Sequence, residues 1–94
     1  MFVLHVDLKV KQGLQQQLEA VYHEHFYPAV SQQPGFESSC LLRPTQAAMD
    51  YRLTIVFRDH GSQQQWVATD LHQQVWPLIE NICQQYSVSE YTGV

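Results

Sequence analysis

Residues 2–10 alternate. Phe2, Leu4, Val6, Leu8 and Val10 fall on one side, and Val3, His5, Asp7 and Lys9 on the other. A period of two over this stretch predicts a strand with one apolar face. Gln12-Gly13 ends it. From Leu14 the period becomes helical. At about 100° per residue, Leu14, Leu18, Val21, Tyr22, His25, Phe26 and Ala29 gather within roughly 140° of arc. Pro28 lacks an N–H, so this helix is expected to kink or end near Tyr27. Pro34-Gly35 marks a turn.

Residues 36–43 read as a second strand, less cleanly patterned, and Pro44 to Asp50 as the loop of a hairpin. Tyr51, Leu53, Ile55 and Phe57 then alternate with Arg52, Thr54, Val56 and Arg58, which predicts a third strand. Ser62 is a candidate helix cap and Thr69-Asp70 a second one. Together they predict a broken helix over residues 62–84, with Val67, Leu71, Val75, Leu78, Ile79 and Ile82 as its apolar stripe. Residues 86–92 read as a short fourth strand. The order βαββαβ predicts an α+β fold of the ferredoxin-like kind, spanning residues 1–94 as a single domain. Its four-stranded antiparallel sheet would carry both helices on one face.

A chain of 94 residues buries only about 60–65% of its unfolded surface, so its core is thin. The second sheet face would carry Val3, His5, Asp7, Arg52, Thr54, Val56 and Arg58, a mixture of polar and apolar groups. A thin core and a half-apolar free face predict a homodimer packed sheet on sheet. The charged groups would then form a polar interface rather than a catalytic site.

Composition narrows the partners. The net charge is −4 with only five Lys and Arg, which argues against nucleic acid or an anionic membrane surface. No apolar run is long enough to span a bilayer. No basic stretch or small-residue cleavage site follows Met1, so a signal peptide is not expected and the chain is read as cytoplasmic. Cys40 and Cys83 are far apart and form no CxxC, so both are expected to be buried free thiols.

Strong catalytic signatures are lacking: no HExxH, no Gly-rich phosphate loop, no GxSxG. His23 and His25 are two apart and would point in different directions on a helix, so no metal pair is expected. His60 is placed in a solvated turn. His25 falls within the apolar stripe of the first helix, between Tyr22 and Phe26. It is either a core histidine bonded to a carbonyl or tyrosine, or a pocket histidine acting as proton shuttle. Trp66 and Trp76 lie off the stripe of a continuous helix, although a break near Asp70 would reset that phase. Tryptophans outside a core line pockets or interfaces. His72, between them, sits at the edge of the stripe.

The third strand and broken helix read DYRLTIVFRDHGSQQQWVATDLHQQVWPLI, residues 50–79. Together with the first strand, its Lys9-x-Lys11-x-Gly13 exit and the Pro34-Gly35 turn, this resembles the antibiotic biosynthesis monooxygenase family over residues 1–92. The resemblance implies a dimeric α+β barrel with a pocket in each subunit between sheet and helices. It also implies oxygenation of small electron-rich aromatics, quinols or anthrones, with no cofactor. Trp66 and Tyr22 would stack the substrate, and His25 or His72 would handle the proton. Phe26, Tyr51, Leu53, Trp76 and Val6 would line the site. The alternative is a binding or stress-related dimer of the same fold that performs no reaction. A haem-degrading branch of this fold uses an Asn on the first strand, a Trp, which Trp66 matches, and a His ligand on the second helix. The Asn and His positions fall at Val6 and near Trp76, and both polar groups are missing.

Overall fold

A computed structural model describes residues Met1–Val94. The two clearest alternations become the two central strands. β1 (Phe2–Val10) and β3 (Tyr51–Phe57) pair antiparallel, Phe2 opposite Phe57 and Leu8 opposite Tyr51. β2 (Phe36–Leu42) flanks β3 and β4 (Cys83–Thr92) flanks β1, giving the order β2-β3-β1-β4. This is the predicted ferredoxin-like α+β sheet. Val6, Leu8, Leu53, Ile55 and Phe57 turn to one face and pack with helix residues in one core. Gly35 has φ +80°, which a residue with a side chain rarely adopts, and a Cβ there would collide with Ser62. The Pro34-Gly35 turn into β2 therefore needs its glycine.

The first helical segment departs from its predicted phase. α1 (Gln15–Val21) passes into a π-helical turn (Tyr22–Phe26) and then α2 (Tyr27–Val30). The N–H of Tyr27 donates to the carbonyl of Tyr22, five residues back. The wider turn seats Pro28, so the helix continues to Val30 instead of ending near Tyr27. It also changes which residues face inward. Leu18, Tyr22, Phe26 and Val30 are all buried, a steady spacing of four. An unbroken α-helix would rotate such a series away from the sheet by about 40° per step; the π turn cancels that drift. His25 is displaced in the process and is exposed, which corrects its placement in the buried stripe.

The second helical region breaks as expected, but its ends move. α3 (His60–Val67) is capped by Asp59, whose carboxylate accepts from the Ser62 N–H at 2.8 Å. The cap is thus three residues before the predicted Ser62, and His60 opens the helix with its ring stacked on Phe2. α4 (Asp70–Glu80) is capped by Thr69 as predicted. It stops at Glu80, and β4 starts at Cys83. Val75, Ile79 and Ile82 are buried, whereas Val67, Leu71 and Leu78 of the predicted stripe are exposed. The break after Val67 rotates the two pieces independently, so a single continuous stripe overcounts the buried positions.

The free sheet face is tied up by cross-strand pairs. His5 Nδ1 meets Thr54 Oγ1 at 3.0 Å, and Arg52 Nε donates to Asp7 at 2.8 Å. Arg58 lies beyond β3 and turns to Asp59 instead, so it leaves this face. Cys83 is buried, but Cys40 is exposed, correcting the expectation of two buried thiols. Cys40 lies opposite Thr54, so it belongs to the same uncovered face. No helix is long and apolar enough to cross a membrane.

Candidate functional site

A cavity of about 220 Å³ lies between the sheet and α3–α4. Its floor is the helix-facing side of the central strands: Leu4 and Val6 from β1, Leu53 and Ile55 from β3. Leu4 is less buried than its neighbours Val6 and Leu8 because it faces this space. The walls are aromatic. Trp66, 2% exposed, meets Phe26 edge to face at 6.0 Å, and Trp76 meets Tyr86 likewise at 5.1 Å. Val88 and Tyr86 on β4 remain about half exposed and mark the mouth, because β4 is an edge strand that the helices do not fully cover.

Three polar residues line the cavity: Gln63, His72 and Glu90. Gln63 is buried, and its side-chain amide makes no hydrogen bond within the chain. The residue is buried as a whole, but its amide atoms stay open to the solvent-accessible cavity, so they can donate and accept there. His72 is half-buried with its ring edge to face on Trp66 at 5.0 Å. Burial lowers its pKa below the ordinary 6.5, so the ring is neutral at pH 7.

The α3–α4 break places this pair. Thr69 Oγ1 donates to the Trp66 carbonyl at 2.7 Å and accepts from the His72 N–H at 3.1 Å. One hydroxyl thereby ends the helix that carries Trp66 and starts the one that carries His72.

Of the residues singled out from sequence, Val6, Phe26, Leu53, Trp66, His72 and Trp76 come together here. Tyr22, Tyr51 and His25 do not. Tyr22 is a core residue whose hydroxyl bonds Ser39 at 2.9 Å. Tyr51 turns to the other end of the sheet, where its hydroxyl donates to Glu19 at 2.5 Å. Glu19 also binds the Arg43 guanidinium, and these two donors hold its pKa down at about 2. That network ties α1 to the β2–β3 hairpin and faces away from the cavity. Gln63, Glu90 and Tyr86 were missed in the sequence. Gln63 sits in a run of three glutamines, and only the helix phase set by the Asp59 cap distinguishes it from Gln64 and Gln65, which are exposed.

Fold and cavity together define a small α+β protein with an aromatic-walled cavity beside its sheet. The chain belongs to the antibiotic biosynthesis monooxygenase family, whose model matches residues 1–76. No curated protein matches it. Several solved structures share its fold at low identity. One is an antibiotic biosynthesis monooxygenase, 17% identical, TM-score 0.84, covering 100% of this chain and 99% of that one. SnoaB, a cofactor-independent oxygenase from Streptomyces nogalater, is 19% identical with TM-score 0.83, covering 99% and 93%. An MhuD variant with two manganese protoporphyrin IX molecules per active site is 22% identical with TM-score 0.79, covering 100% and 95%. In this chain Val6 and Trp76 line the cavity where that branch would need polar groups, and neither offers iron a ligand atom. The Asn and His positions of the haem-degrading branch are therefore filled by side chains that cannot take those roles.

Proposed function

We propose that this protein is a cofactor-independent monooxygenase acting on a small electron-rich hydroxyaromatic of the quinol or anthrone kind. One observation carries the reading. The cavity joins aromatic walls to the solvent-accessible Gln63 amide and a neutral His72, both among its lining residues. Family membership and the fold shared with SnoaB support it.

The chemistry needs little apparatus. Aromatic walls bind the planar substrate, and polar groups at its oxygen favour the anion, whose proton passes to water and returns to the peroxide formed later. The anion is the reductant. It passes an electron to O₂, the radical pair joins to form a C–O bond, and loss of water from the peroxide leaves a carbonyl. For an anthrone, the ring methylene is oxidised by four electrons. One oxygen atom ends in the new carbonyl and the other in water. In this scheme Trp66 and Phe26 hold the ring, while Gln63 and His72 meet the oxygen.

The free sheet face, with Val3, Val56 and the Asp7–Arg52 pair, supports a homodimer as the working unit. The test is oxygen uptake by metal-free protein with hydroquinones, anthrones and catechols. Uptake above the buffer rate that is lost in His72→Phe and Gln63→Leu is the expected result. A raised melting temperature with these ligands and no uptake by any of them would replace the reading by binding without turnover.

A further inference from the structure

The hydrogen bonds around His72 fix more than its position. Gln73 Nε2 lies 3.1 Å from the Val67 carbonyl and 3.3 Å from His72 Nδ1. An amide nitrogen carries two hydrogens and no lone pair to offer, so it donates to both. Nδ1 must therefore present its lone pair. In a neutral imidazole the proton then sits on Nε2, the nitrogen on the far edge of the ring. Nε2 has no partner within the chain, and the ring lines the cavity. The Val67 carbonyl that orients the Gln73 amide belongs to the last turn of α3, one residue after Trp66. Thr69 secures the same junction from the other side through the Trp66 carbonyl and the His72 N–H.

We propose that His72 is a fixed hydrogen-bond donor through Nε2–H to a phenolate or quinone oxygen in the cavity, and that Gln73 is the positioning residue that sets this tautomer. The assignment rests on the oxygenase reading for its ligand class, but not for the tautomer itself. It has a chemical consequence. A ring with its lone pair engaged by Gln73 and its proton on Nε2 cannot take a proton from the substrate. His72 then stabilises the anion as it forms and does not act as the base. Ligands with an acceptor oxygen at that point are favoured over those with only a donor.

The experiment is long-range ¹H–¹⁵N NMR of the unliganded protein at neutral pH, with the His72 signals assigned by their loss in His72→Phe. The expected pattern has Nδ1 unprotonated and Nε2 protonated. In Gln73→Glu the carboxylate has no hydrogen for the Val67 carbonyl and can only accept from His72, so Nδ1 becomes protonated. Gln73 is exposed, so both proteins fold. With 1,4-naphthoquinone as a carbonyl probe, the Nε2 proton moves downfield in the wild type. The probe binds roughly three- to tenfold more weakly to Gln73→Glu, the range of one lost hydrogen bond. A protonated Nδ1 in the wild type, or an unchanged tautomer in Gln73→Glu, overturns the proposal. An absence of oxygen uptake with the tautomer intact sinks the oxygenase reading and leaves the donor assignment standing.

Discussion

Replacing Trp66 by Phe separates a wall of the cavity from a part of the core. Trp66 is both, being 2% exposed and a lining residue. Truncation to Ala would cost about 3–5 kcal/mol, a large share of the ~5–14 kcal/mol that a domain of this length possesses. A loss of that size confounds any effect on ligand with unfolding, whereas Phe keeps a ring against Phe26. Indole to phenyl removes about 40 Å³, which at about 24 cal/mol per Å³ is about 1 kcal/mol. The new space opens onto the existing cavity, so water enters it and the loss falls at or below that figure. At this chain length it lowers Tm by no more than roughly 4–8 °C. The ligand loses as well. An aromatic stack contributes about 0.5–1.5 kcal/mol beyond its area and phenyl keeps part of it, so KM should rise by up to about two- to twelvefold. Ile79→Val is the control. Ile79 is fully buried and outside the cavity, and the change costs about 0.5–1.5 kcal/mol. Melting curves and oxygen-uptake kinetics on the two variants should show similar Tm losses, with KM raised only in Trp66→Phe. Wild-type KM and kcat in Trp66→Phe would refute the reasoning and make Trp66 a core residue alone.

His25→Ala should leave both uptake kinetics and Tm near wild type, because the side chain is exposed and outside the cavity; a tenfold fall in kcat would return it to the site. Glu19 has its pKa lowered from 4.5 to about 2, so its stabilising contribution is complete above 4.5 and is lost as pH falls toward 2. Glu19→Gln should therefore flatten the acid limb of a Tm-against-pH curve in that window, and an unchanged limb would show that the Arg43 and Tyr51 bonds add nothing. Light scattering should return about twice 10.9 kDa for the homodimer; a monomer peak across the micromolar range would remove the sheet-to-sheet model. A thiol reagent should leave Cys83 unmodified until the protein unfolds, since that thiol is buried; modification of Cys83 in the folded protein would contradict that placement.

The strands were legible because a half-buried strand writes its burial directly into the chain. Phe2, Val6 and Leu8 alternate with His5 and Asp7, and Tyr51, Leu53 and Ile55 with Arg52 and Thr54, so pairing and facing follow from a period of two. The element order then left few topologies. Val6 and Leu53 face the helix side of the sheet on the same grounds, whereas Trp66 and Phe26 were named as site residues through the family resemblance.

Helix phase was the part that the chain alone could not settle. It accumulates about 100° per residue, so one irregular turn misplaces everything beyond it. The π turn at Tyr22–Phe26 moved His25 to solvent, the Asp59 cap set the facing of Trp66, and the break capped by Thr69 set that of His72 independently of the helix before it. Tertiary packing made these choices, because burying Phe26 and Val30 against the sheet outweighs one regular hydrogen-bonded turn. The same packing selected Gln63 from three adjacent glutamines and placed Gln73 on the Nδ1 edge of His72. Sequence determined which faces are apolar and the order in which they come. The third dimension decided which polar atoms are left facing one another across the cavity, because hydrogen-bond partners distant in the chain meet only once the core is closed.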